Sequence, residues 1–130
     1  MKASELLRKA RELISHRDQW TQGWYFKAED GMPLAMGTKE LLAHGITPAS
    51  FCASGALHWT AMTSGGAWEG LTSAAARDAL NTAAAARGLL GIEDLNDTRD
   101  HADVIAAYDA AIESLESLEA DEQAGDSPPT

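Results

Sequence analysis

Two side chains in this sequence could perform nucleophilic chemistry together: the thiol of Cys52 and the imidazole of His58. A thiol becomes a nucleophile when a neighbouring base or a helix N-terminus favours its thiolate. Both residues lie in a segment predicted to be helical, where six positions correspond to a rotation of about 240° and a rise of about 9 Å. Because the two side chains then diverge, we expect a buried thiol and a packed histidine. An enzyme that uses the pair in an aromatic pocket remains the alternative.

The histidines and their neighbouring carboxylates could also bind a metal. None of the four histidines occurs in a His-x-x-x-His or His-Glu-x-x-His pattern, so we expect no metal site and no cofactor. The cluster formed by Asp97, Asp100, His101 and Asp103 has a simpler explanation. Carboxylates in the first turn of a helix accept hydrogen bonds from free backbone N–H groups and complement the helix dipole. The cluster therefore predicts the start of the last helix, near Asp100.

The tryptophans give the best sequence indication of a ligand site. An indole offers apolar area together with an N–H donor, a combination that suits concave binding sites. Core packing is nevertheless the commoner role of any single tryptophan. The hypothesis is a pocket with Trp24, Trp59 and Trp68 as its walls. The residues assigned to ligand binding are Trp24, Trp59, Trp68, His58, Cys52, Asn96 and Asp97.

The negative charge of the chain is concentrated at its C-terminal end. The net charge is -10, and residues 91–130 contain twelve Asp or Glu residues against one Arg. Such a region repels phosphate backbones and anionic lipids, so we expect neither direct nucleic-acid binding nor membrane binding. Asp109, Glu113 and Glu116 form an acidic ridge on the last helix, and a solvated face is its default explanation. The sharper alternative is a nucleic-acid mimic that occupies the basic surface of a DNA-binding protein.

The secondary structure that must position the candidate site residues is predicted from the apolar periodicity of the chain. It indicates a mainly α fold with a small β-hairpin. A length of 130 residues fits a single compact domain. Alanine occurs 25 times, and the aliphatic residues recur at helical spacing, which indicates about four closely packed helices. The dipeptide Asp30-Gly31 favours a tight turn and places the hairpin near 24–36. The predicted helices are 4–20, 48–63, 72–90 and a last helix that ends near 120, with a brief helical turn at 38–44.

The limits of the domain follow from where the apolar periodicity stops. We expect residues 1–120 to form the domain and residues 121–130 to be a disordered acidic tail without an apolar anchor. The single cysteine cannot form an intramolecular disulfide, and residues 1–20 lack the apolar run of a signal peptide. A cytoplasmic protein is therefore expected.

Several short motifs occur in order between residues 4 and 118. After the first helix come Trp20-x-x-Gly23, the hairpin, the stretch 52–57 (Cys-Ala-Ser-Gly-Ala-Leu), an alanine-rich helix, and a predicted Leu-Asn-Asp turn at 95–97 leading to Asp-Val-Ile at 103–105. This order resembles a family of unknown function found in actinobacterial and bacteriophage genomes. Members usually have a Trp-Asn-Asp turn followed by a threonine cap, where this chain has Leu95 and Asp100. The resemblance implies a phage or bacterial cytoplasmic origin and carries no established activity.

The function favoured by these observations is binding without catalysis. We expect a small interaction or ligand-binding protein, such as a phage accessory factor that acts on a host protein or sequesters a small metabolite. The sequence does not identify the partner, which is either a protein or a small molecule, and it is compatible with a homo-oligomer.

Overall fold

The structure, a computed structural model, describes residues 1–64 and 70–125. In this part of the chain there are six α-helices and two short β-strands, so the mainly helical fold with a small antiparallel β element is confirmed. About four helices were predicted. The elements are α1 (Ala3–Leu13), β1 (Phe26–Lys27), α2 (Thr38–Ala43), β2 (Ser50–Phe51), α3 (Ala53–Thr63), α4 (Leu71–Ala85), α5 (Ile92–Thr98) and α6 (His101–Gly125), with a 3-10 turn at Arg17–Gln19.

The core lies around α1, which packs against α3, α4 and α6. Helix α1 buries an apolar stripe at helical spacing, including Leu6, Leu7 and Ala10. Alanine side chains on α4 and α6, such as Ala76 and Ala107, are also fully buried, and their small size lets the helix backbones approach closely. None of the helices in the described part of the chain combines the length and apolar character that a membrane crossing requires.

The Asp30-Gly31 turn forms as predicted, but the regular strand pairing is different. Gly31 has a φ of +82°, a conformation that glycine adopts without strain, and the Leu34 amide donates to the Phe26 carbonyl at 3.0 Å. The antiparallel ladder, however, pairs Phe26 with Phe51 instead of with a residue of 32–36. Proline at position 33 has no N–H to donate to a ladder, which limits pairing on that side to an isolated bridge.

Three predicted helix boundaries need correction. The first helix ends at Leu13 instead of near Trp20, and α4 ends at Ala85 instead of Leu90. The helix predicted from 48 begins at Ala53, because the preceding residues Ser50–Phe51 pair with β1 as strand β2. In this last case, long-range strand pairing and burial of Phe51 override a local helix-start signal.

The segment predicted as a Leu-Asn-Asp turn is part of helix α5. Leu95 and Asn96 are both buried there, so tertiary packing outweighs the turn preference of consecutive Asn and Asp residues. Helix α6 also continues to Gly125, through residues 121–125 that were predicted to be disordered. Glu and Gln have good helix propensity and extend a helix that packing has already nucleated. Residues 126–130, the rest of the predicted tail, lie outside the described residues.

Candidate functional site

Asn96 is the polar centre of the region that holds the predicted site residues. Its side chain is 1% exposed, and its amide oxygen accepts hydrogen bonds from the Trp20 indole at 2.7 Å and from the Ala53 amide at 2.9 Å. Its amide nitrogen donates to the Thr21 carbonyl at 3.1 Å and to Asp97 Oδ1 at 3.1 Å. One buried side chain therefore joins α5, the start of α3 and the segment after the 3-10 turn.

A second buried group holds the start of α3 from the opposite side. The Tyr108 hydroxyl on α6 donates to the Ala53 carbonyl at 2.7 Å, and burial raises the pKa of this phenol well above its usual value. Both backbone groups of Ala53 are thus fixed by side chains from other helices. This arrangement sets the position of the residues on either side of Ala53, including Cys52 and Gly55.

The segment Gly23–Tyr25 lies over α3 and α5 and is held there by three hydrogen bonds. The Gly23 amide donates to Asp97 Oδ1 at 2.9 Å, and the Cys52 amide donates to the Tyr25 carbonyl at 3.1 Å. The Tyr25 hydroxyl donates to Glu93 Oε1 at 2.9 Å, and this bond is the main reason that the pKa of Tyr25 is raised to about 12. The segment is therefore fixed although its aromatic side chains face solvent.

Those exposed aromatic side chains form the wall of a large cavity, here called the aromatic cleft. The cleft has a volume of about 1070 Å³ and lies between the 24–26 and 34–37 segments and helices α3, α4 and α5. The side chains of Trp24 and Tyr25 are 47% and 52% exposed, and Leu90, which also lines the cleft, is 96% exposed. Six of the lining residues that the structure describes are polar or charged, namely Ser54, His58, Arg77, Asn81, Glu93 and Asp94.

A smaller cavity, here called the acidic recess, adjoins the cleft. It has a volume of about 350 Å³ and shares Trp24, Tyr25 and Glu93 with the cleft. The rest of its lining consists of Gly23, Cys52, Asn96 and Asp97. Two aromatic residues and two carboxylate residues thus line one space that is large enough for a small organic group.

The structure separates Trp24 from Trp59, two of the three tryptophans of the predicted pocket. Trp24 lines both cavities, whereas Trp59 is 8% exposed and packs against Phe26 and Phe51 with ring centroids 6.1 Å apart in each case. Trp59 is therefore a core residue in the described part of the chain. Trp68 lies outside the described residues.

Cys52 and His58 line different cavities. Cys52 is the N-cap residue of α3, its thiol accepts a hydrogen bond from the Gly55 amide at 3.2 Å, and it faces the acidic recess. His58 faces the aromatic cleft, and its Nδ1 lies 3.1 Å from the Thr38 hydroxyl. Burial and the positive charge of Arg77 lower the pKa of His58. This arrangement gives the thiol no base from His58.

Burial raises the pKa of the Cys52 thiol to about 11, despite the hydrogen bond from Gly55. At pH 8 the thiolate fraction should then be about a hundredfold smaller than for a thiol with a pKa of 9, and alkylation by iodoacetamide should be slower by at least that factor. The measurement is the alkylation rate of the folded protein by mass spectrometry, with the protein unfolded in guanidinium as control. A folded-state rate close to the unfolded one would contradict the buried, protonated thiol, and a rate above the unfolded one would support the enzyme alternative.

The acidic ridge on α6 is engaged by α1. Arg11 donates to Asp109 at 2.7 Å, Arg8 forms an ion pair with Glu116, and both pairs are largely exposed. Glu113 is exposed. Since arginines of the same chain partly neutralise two of the three ridge carboxylates, the ridge is a weaker imitation of a phosphate row than its sequence indicates. In the described part of the chain, no group of three or more His, Cys, Asp or Glu side chains could hold a metal ion.

The sequence reasoning missed Tyr25, Glu93 and Trp20 as site residues. Trp20 is half-buried, donates to Asn96 and lies against the His101 ring at a centroid distance of 5.6 Å. The adjacent aromatic residues Trp24 and Tyr25, beside a glycine and outside any apolar periodicity, were a signal that could have indicated an exposed pair. Glu93 had no comparable signal, because only the packing of α5 brings it to Tyr25.

The described residues form a mainly helical domain with an aromatic cleft and an adjoining recess that includes the buried Asn96. Residues 1–114 match the model of a family of unknown function, DUF6197, and the chain belongs to that family. No curated protein and no solved structure matches the chain.

Proposed function

We propose that this protein binds a small organic ligand in the aromatic cleft and acts by binding, without catalysis. The observation that carries the proposal is the pair of exposed aromatic side chains, Trp24 and Tyr25, on the wall of a cavity of about 1070 Å³. Exposed aromatic groups in a concave surface lose unfavourable contact with water when an apolar ligand covers them.

The rigidity of the segment supports the same proposal. Hydrogen bonds from Gly23 to Asp97, from Cys52 to Tyr25 and from Tyr25 to Glu93 hold the backbone of the segment and the Tyr25 ring in place before any ligand arrives. A preformed wall does not have to be ordered during binding, so more of the contact energy contributes to affinity. An exposed aromatic pair on a loosely tethered loop would not have this property.

The indole N–H of Trp24 provides a direct test. In two-dimensional NMR spectra of the 15N-labelled protein, ligands from a library of small aromatic and aliphatic metabolites should shift the Trp24 indole signal. The indole of Trp20, which donates to Asn96 in the interior, is the internal control and should stay in place. Library hits that move the Trp20 signal and leave the Trp24 signal unchanged would contradict the proposal.

Substitution of Trp24 gives the matching affinity prediction. Trp24→Ala should weaken binding of any such ligand by about tenfold or more, because it removes a large aromatic contact from the cavity wall. Leu118→Ala is the matched control, since Leu118 is 57% exposed on α6 and does not line the cleft. Isothermal titration calorimetry measures both. Unchanged affinity in Trp24→Ala would place the ligand elsewhere.

The biological setting is also proposed. The resemblance noted from the motifs favours a phage or actinobacterial protein in the cytoplasm of a bacterial cell, either sequestering a small metabolite or acting on a host protein. Sequestration is the version that the cleft supports, because the cleft is concave and of the size of small-molecule sites.

A further inference from the structure

We infer that the ligand carries a positively charged organic group, an ammonium or guanidinium, and that this group sits in the acidic recess. The inference deepens the proposed function and rests on it. Trp24, Tyr25, Glu93 and Asp97 all line the recess, and among the residues that the structure describes there is no Lys, Arg or His in this lining. Both features favour a cation over a neutral or anionic group.

The two carboxylates each retain capacity to accept hydrogen bonds. Oε1 of Glu93 accepts from the Tyr25 hydroxyl, and Oδ1 of Asp97 accepts from the Gly23 amide and from Asn96. Within residues 1–64 and 70–122, the second oxygen of each carboxylate accepts no hydrogen bond. A bound ammonium or guanidinium could donate to these oxygens without breaking the bonds that hold the segment in place.

The aromatic rings add an attraction that is specific for cations with low hydration. The negative faces of indole and phenol rings attract organic ammonium and guanidinium groups within about 6 Å. A metal ion fits this lining less well, since the described residues offer no group of three or more suitable ligands. A volume of about 350 Å³ is large enough to accommodate a cationic head group.

The recess opens beside the aromatic cleft, and this relation defines the shape of the ligand. Trp24, Tyr25 and Glu93 line both cavities. A ligand whose charged group occupies the recess can therefore extend an apolar body past Tyr25 into the cleft. This predicts an amine or guanidine attached to a ring or an aliphatic chain.

Three small probes of similar size and different charge test the inference. They are phenethylamine, 2-phenylethanol and 3-phenylpropionate, titrated at pH 7 and low salt while the Trp24 indole and the backbone amides of Glu93 and Asp97 are followed by NMR. The amine should bind about tenfold or more tightly than the alcohol, and the carboxylate should bind most weakly. Salt at about 0.5 M should reduce the advantage of the amine.

Matched variants locate the charge effect. Glu93→Gln and Asp97→Asn keep an acceptor oxygen and remove the charge, so each should lower the affinity for phenethylamine several-fold and leave that for 2-phenylethanol unchanged. Glu113→Gln is the control, because Glu113 is exposed on α6 and lines neither the cleft nor the recess. Equal binding of the three probes would overturn the inference and leave the proposed function standing. The inference would also be overturned if library ligands shift the Trp24 signal and phenethylamine does not shift it.

Discussion

Replacement of Asn96 by alanine should lower the free energy of unfolding by about 3–5 kcal/mol. The variant leaves three groups without their partner: the buried Ala53 amide, the buried Thr21 carbonyl and the part-buried Trp20 indole N–H. Each unsatisfied buried group costs about 1–3 kcal/mol, and the three belong to one connected network. Urea unfolding followed by circular dichroism measures the loss.

Asn81→Ala is the matched control for this experiment. Asn81 is exposed and its side chain accepts one hydrogen bond, from the Ile92 amide at 3.0 Å. Its removal should cost about 1 kcal/mol, because water can replace the side chain at an exposed site. Equal losses in the two variants would show that Asn96 does not act as a buried centre. In that case the arrangement of α3, α5 and the 20–25 segment would need another explanation.

Replacement of Gly55 by alanine should destabilise the fold by about 2–3 kcal/mol and weaken ligand binding in the cleft. A Cβ at this position would lie 3.1 Å from the Tyr25 carbonyl carbon and closer still to its oxygen. The clash is with backbone, which cannot rotate away as a side chain can. Alanine has the higher helix propensity by about 1 kcal/mol, so a net loss would demonstrate the clash directly.

Gly37→Ala shows what the same substitution does without a clash. A Cβ at Gly37 meets no atom within 4 Å, and the residue has a φ of -75°, so the change should cost at most about 1 kcal/mol. In the NMR spectrum, Gly55→Ala should shift the Trp24 and Tyr25 signals while Gly37→Ala leaves them near their original positions. A stable Gly55→Ala protein with unchanged Tyr25 signals would refute the close packing of α3 against this segment.

The Asn96 and Gly55 variants change residues that hold the site in position, whereas the Trp24 and Glu93 variants change residues on its surface. Asn96 has all of its side-chain hydrogen-bonding capacity engaged within the protein, so its main contribution is to position the neighbours of the recess. Trp24 and Glu93, in contrast, are exposed side chains that are proposed to touch the ligand. We therefore expect stability effects from Asn96 and Gly55, and affinity effects with little change in stability from Trp24 and Glu93.

The sequence by itself determined the helical character of the chain, the Asp30-Gly31 turn and the start of the last helix. Each of these depends on interactions within a few residues. Helical periodicity is local, the turn needs a glycine with positive φ, and the Asp100 side chain accepts a hydrogen bond from the Asp103 amide three residues later. Local interactions of this kind can be predicted from residues that are close together in the sequence.

Tertiary structure alone decided the strand pairing, the helical state of the Leu-Asn-Asp segment and the composition of the cavities. Phe51 pairs with Phe26 across 25 positions, and Asn96 donates to Thr21 across 75. The predicted pocket combined Trp24 with Trp59. In the structure Trp59 packs in the aromatic core, and the packing of α5 brings Glu93 to Tyr25. Such contacts depend on which apolar surfaces are buried together, a global free-energy balance that no single stretch of sequence specifies.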